Sequence, residues 1–160
     1  PFFHELEALM ASGLLQDTAT GRTGTQKSTG GAAHVLLSNG GSPAGSTALS
    51  SSSRNVANAS AVATLAGAAG ATTYLSGFYI SGAGATAAGV VSATVTGLAG
   101  GTMTLTVVVP AGATTAIAPV FLDFNPPLPA SAVNTSIVLT LPALGAGNTN
   151  ASVTAWGFRI

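Results

Sequence analysis

At 160 residues, with zero net charge and only 5 % charged side chains, the chain has room for one domain with a core plus an arm. The scattered cations Arg22, Lys27, Arg54 and Arg159 cannot form the basic patch that nucleic-acid phosphates require, and the absence of cysteine excludes disulfides and thiolate metal sites. Every apolar run is broken well short of the about 20 residues of a membrane-spanning helix, and six Phe, two Tyr and one Trp are too few for the aromatic girdles of a membrane barrel.

The first segment, PFFHELEALMASGLL, spaces Phe3, Leu6, Met10 and Leu14 at three- and four-residue intervals, with Glu5 and Glu7 near its start, where they suit the helix dipole. The spacing predicts a short amphipathic helix over residues 1–16, with Phe2, Phe3, Leu6, Met10 and Leu14 as an apolar anchoring stripe. Phe3 and Glu7 echo the start of type IV pilins, but the apolar run stops at Gln16-Asp17. The acidic residues also differ from the basic start of a signal peptide. Residues 17–53 are dominated by Gly, Ser and Thr, a composition that cannot bury a core, and they read as an arm or linker. Its one island, AAHVLLS at residues 32–38, has the makings of a short strand.

From residue 54 onward the pattern is one of short β signals. TMTLTVVV, residues 102–109, alternates Met103, Leu105 and Val107 against threonines, the period-two mark of a half-buried strand. Strands are likewise predicted over 56–65, 72–81, 89–96, 119–124, 135–141 and 151–159. The connections carry turn residues, as in SGAGA, GLAGG and NPPLPAS. Seven strands at this spacing with no helical period between them predict an all-β domain over residues 54–160, an antiparallel β-sandwich of jelly-roll type.

Chemistry has little to work with. Residues 54–160 contain no His, Lys or Glu, and Asp123 is the only charged side chain between Arg54 and Arg159. A catalytic triad or a metal site would have to borrow His4 or His34 from the N-terminal region, and a glycosidase would need a second carboxylate near the first. The glycine-rich strings lack the Gly-Lys-Ser/Thr ending of a phosphate loop. The chain therefore reads as non-enzymatic and without cofactor.

In the stretch VFLDFNPPLP, alternation turns Val120, Leu122 and Phe124 to the core and Asp123 outward, and Pro126, Pro127 and Pro129 are expected to end the strand. The carboxylate is expected to bond loop amides or to pair with Arg54 or Arg159 across a subunit interface. Simple alternation sets Tyr74 and Phe78 on one face with Tyr79 on the other, and groups Trp156 with Phe158. Core packing is the default use of these rings; a sugar-facing role, with Tyr79 as its exposed member, is the alternative.

Three stretches, TTYLSGFYISGAGATAAGVVSATVTGL, VVVPAGATTAIAPVFLDFNPPLPAS and NTSIVLTLPALGAGNTNASVTAWGFRI, resemble the small, weakly charged β-sandwich structural proteins of tailed bacteriophages. The resemblance implies a virion protein on the outer surface of the particle, of the capsid decoration, head-fibre or tail-associated type. It also implies a homotrimer. The N-terminal helix and the Gly/Ser arm depart from a bare sandwich, and they are expected to dock it onto a major capsid or neck protein. The resemblance brings no catalytic residues, and it leaves a host surface glycan as a further partner. Low surface charge points the same way, because charge is what normally keeps protein copies apart.

Overall fold

The computed structural model describes residues 14–16, 23–25 and 42–160, in two compact units, Pro1–Asn39 and Gly40–Ile160. In the first unit, β1 (Leu14–Gln16) pairs antiparallel with β2 (Thr23–Thr25). Leu14–Gln16, the last turn of the expected helix, is thus a strand. The remainder of that helix, with Phe2, Phe3, Leu6 and Met10, and the island at 32–38 lie outside the described residues.

The second unit is a two-layer antiparallel sandwich. Its strands are β3 (Thr47–Ser52), β4 (Ala61–Leu65), β5 (Thr73–Ala83), β6 (Gly89–Thr96), β7 (Met103–Val109), β8 (Val120–Pro129), β9 (Ile137–Leu141) and β10 (Asn150–Arg159). They form two four-stranded sheets, a first in the order β3-β10-β5-β8 and a second in the order β4-β9-β6-β7. The expected all-β sandwich is therefore present, and the β6 limits are those expected from alternation.

The core follows from the period of two. On β4, Ala61, Ala63 and Leu65 are buried while Val62 and Thr64 are exposed; on β9, Ile137, Leu139 and Leu141 are buried. These residues meet Leu75, Phe78 and Ile80 of β5 and Ala151, Val153 and Ala155 of β10. Burying each larger side chain stabilises the fold by about 1.5–3 kcal/mol. Phe78 is the largest fully buried side chain among the described residues.

Three expectations need correction. The sandwich begins before residue 54, because β3 lies in the stretch assigned to the arm and pairs with β10 along its whole length. Its sequence, TALSSS, hides a strand because β3 is an edge with a single apolar anchor, Leu49, packed on the core. The serines replace apolar contacts with hydrogen bonds: Thr64 N–H donates to Ser51 Oγ at 3.0 Å, and Thr154 Oγ1 donates to Ser52 Oγ at 3.1 Å.

β8, for its part, does not end at the prolines. Asp123 lies opposite Gly77, and pairing resumes at Leu128 and Pro129 opposite Leu75 and Tyr74, so the intervening residues bulge from the ladder. An edge strand tolerates this, since one of its sides needs no backbone donors. The peptide bond Asn125–Pro126 is cis. Finally, the strand expected over 56–65 is shortened to Ala61–Leu65, with Asn58 at φ 51°, a left-handed conformation that a continuing strand cannot accommodate.

At one end of the sandwich the connections are tied together by Asn148, which is fully buried. Its Nδ2 donates to the carbonyls of Ala83 and Asn150, both at 3.0 Å. Asn148→Ala would leave both carbonyls without that donor, and it is expected to lower unfolding free energy in urea by about 1–3 kcal/mol.

Candidate functional site

On the first sheet, one residue of register changes which side chains face solvent. Between Leu75 and Gly77 of β5 the pairing shifts against both neighbours, leaving Ser76 as an extra residue. Before the bulge, Thr73 and Leu75 face inward; after it, Phe78 and Ile80 do. Tyr74 therefore shares the outer face with Tyr79, and Phe78 alone enters the core, where its ring lies 5.9 Å from that of Phe124. Strict alternation had grouped Tyr74 with Phe78; the bulge inverts that grouping.

β10 carries no extra residue, so burial of Ala151, Val153 and Ala155 turns Trp156 and Phe158 outward together. Their shared face was legible in the sequence, and it is the outer face of the sheet, where Phe158 is nonetheless buried, at 3 % exposure, and Trp156 half-buried. Phe158 stacks on Tyr74 with ring centroids 5.0 Å apart and planes at 16°. Trp156 lies 5.5 Å from Phe121 of β8. Phe121 is 60 % exposed and pairs across the ladder with Tyr79, itself 38 % exposed. Both tyrosines and the single tryptophan of the chain thus stand on one outer sheet face.

Asp123 stands among these rings. Val120, Leu122 and Phe124 pack on the core, as expected, and Asp123 projects outward with Phe121. It sits opposite Gly77, which also faces Trp156 on the other side. A Cβ at Gly77 would come 2.5 Å from Asp123 Oδ1 and 2.6 Å from Trp156 Cζ2. Those two groups therefore close over the glycine, and any side chain there would force them apart. Gly77 is the floor of the site.

The surroundings are hydroxyl-rich and, among the described residues, without cations. Ser50 lies beside Trp156, and Ser52 and Tyr79 flank Thr154. Arg159 is at the end of β10 beside Thr73, and Arg54 follows β3 at φ 59°. The three residues expected as an ion pair are thus in three separate places within the chain. Two kinds of chemistry remain for the face. Asp123 can accept hydrogen bonds, and the rings can bury a flat apolar surface.

The same alternation that turned Asp123 outward also placed Phe121 there, so this much could be read from VFLDFNPPLP. The outward placement of Tyr74 and Gly77 could not, because the bulge on β5 leaves no mark in the hydrophobic pattern. Elsewhere, a concavity of about 270 Å³ is lined by Met103, Leu128 and Pro129 with four residues of the β6–β7 connection, Leu98 among them, and it carries no titratable group. Compared with protein-family models and with curated proteins, the chain matches none.

Proposed function

We propose that the chain is a non-enzymatic structural subunit of a tailed-bacteriophage virion, a capsid decoration or head-fibre protein on the outer surface of the particle. In this reading the sandwich is a jelly roll, assembled as a homotrimer. The segment carrying Phe2, Phe3, Leu6, Met10 and Leu14 anchors it to a major capsid or neck protein. The strand orders β3-β10-β5-β8 and β4-β9-β6-β7, with most connections crossing between sheets, support the jelly-roll assignment, and that architecture recurs in viral capsid and lectin domains. Fold alone does not fix function.

The observation that carries the reading is the sparsely charged exterior of the sandwich. Arg54, Asp123 and Arg159 are the charged side chains of residues 42–160. The outer face of the second sheet consists of threonines, a serine and valines, with Val90 and Val108 paired across the ladder at 65 % and 67 % exposure. Its edge strand β7 bears neither Pro nor Lys to block pairing with another chain. A surface of this kind suits burial against copies of itself or other subunits.

Deleting residues 1–30 is expected to abolish association with particles while the thermal unfolding of the sandwich is unchanged. Normal incorporation of the truncated chain would overturn the anchoring role. A second reading, a tail-associated receptor- or glycan-binding module, is favoured by the aromatic outer face around Asp123.

A further inference from the structure

We propose that the outer face of the first sheet binds an uncharged saccharide. Trp156 and Phe121 form the stacking surface, Asp123 accepts hydrogen bonds from sugar hydroxyls, and Gly77 is the floor that lets ring and carboxylate meet. The proposal rests on the second reading above and gives it a site and a ligand class.

Four observations select the ligand. The rings of Trp156 and Phe121, 5.5 Å apart, offer a broad apolar surface next to a carboxylate. That combination matches a pyranose, whose C–H face is apolar and whose rim is a ring of hydroxyl donors. An ionised carboxylate only accepts hydrogen bonds, and it can take two adjacent hydroxyls at once. Hydroxyls of Tyr79, Thr154 and Ser50 border the same patch, on the strands flanking it. Finally, neither Arg54 nor Arg159 lies beside Asp123. Sialylated, sulfated or uronate-bearing glycans would meet repulsion there, with no cation among the described residues to offset it.

Other occupants fit less well. An aliphatic partner would strip water from Asp123 and leave it unpaired, which is costly. A twofold contact between two copies centred here would set two Asp123 carboxylates against each other in a desolvated space. The face is also open, with Phe121 60 % exposed, so that an oligosaccharide can run across the strands without needing an enclosing pocket.

The 160-residue chain is tested on an array of neutral oligosaccharides of glucose, galactose, mannose and N-acetylglucosamine, with sialylated and sulfated counterparts. Calorimetry follows on the best neutral binder. Binding to at least one neutral glycan is expected, weakened about tenfold or more in Trp156→Ala and in Asp123→Asn. Thr106→Ala on the outer face of the opposite sheet should bind as the parent does. Melting temperatures of all three variants are measured alongside, and Asp123→Asn, nearly isosteric and exposed, keeps the test valid if Trp156→Ala is poorly folded.

Absence of binding to any glycan would remove both this site and the second reading. Glycan binding unaffected by Trp156→Ala and Asp123→Asn would leave the second reading standing and overturn the site. Binding confined to acidic glycans would overturn the ligand class. A changed oligomeric mass in Trp156→Ala with undiminished glycan binding would make the face a contact between copies, and the proposal would fall.

Discussion

Phe78→Ala is expected to lower the unfolding free energy by about 3–5 kcal/mol, the largest loss for any single truncation in the sandwich. Phe78 is fully buried on β5, in a core cluster that also holds the small residues Ala61, Ala63, Ala151 and Ala155, and its ring lies 5.9 Å from that of Phe124. The cavity could not readily collapse, because β5 is held by ladders on both sides, to β10 and to β8. Residual cavity volume is what places a truncation at the upper end of the range. A domain of this size has only about 5–15 kcal/mol of stability in total, so urea unfolding should show a large fall in midpoint. Phe78→Leu, which keeps most of the volume, should lose much less. Equal losses for the two would mean that shape and not volume is limiting at this position.

Gly157→Ala is expected to cost about 3 kcal/mol, by a different mechanism. Its backbone is not in the left-handed region, so conformational freedom is not the issue; space is. A Cβ there would collide with the Tyr74 carbonyl oxygen and approach Leu75 Cα at 3.2 Å. Both are backbone atoms of the paired strand, and neither can rotate away. The strands would have to separate at the bulge, loosening the stack of Phe158 on Tyr74 and shifting Trp156. Thermal unfolding reads the stability loss, and tryptophan fluorescence reads the local displacement. Gly89→Ala is the control: nothing lies within 4 Å of its Cβ position, so a neutral effect or a gain of about 0.5 kcal/mol is expected. If Gly157→Ala behaved like Gly89→Ala, the close approach of β10 to β5 would be disproved.

Both predictions depend on features that differ in how visible they are in the sequence. The buried face of β7 can be read directly from TMTLTVVV, because alternating Met, Leu and Val against Thr has one way to satisfy a half-buried sheet. Core packing is the use alternation predicts for Phe78, and it is buried, but its grouping with Tyr74 fails because the bulge at Ser76 turns Tyr74 to the other face. β3 was hidden because an edge strand with one apolar residue has almost the composition of a linker. The prolines of β8 were read as a stop because the edge position that makes them tolerable is a property of the sheet order, not of the strand.

The candidate site divides in the same way. Asp123 faces outward because its neighbours Val120, Leu122 and Phe124 are apolar, and local alternation is enough to decide that. Its meeting with Trp156 over Gly77 joins residues from β8, β10 and β5, brought together only by the pairing of distant segments.

By itself, the sequence determined a weakly charged, all-β sandwich with an outward carboxylate, since strand periodicity, turn residues and charge are local properties. The tertiary structure decided the sheet order, the additional edge strand, the bulge and hence the aromatic face. Those depend on which strands pair and in what register, and a shift of one residue in that register moves a side chain from the core to the surface.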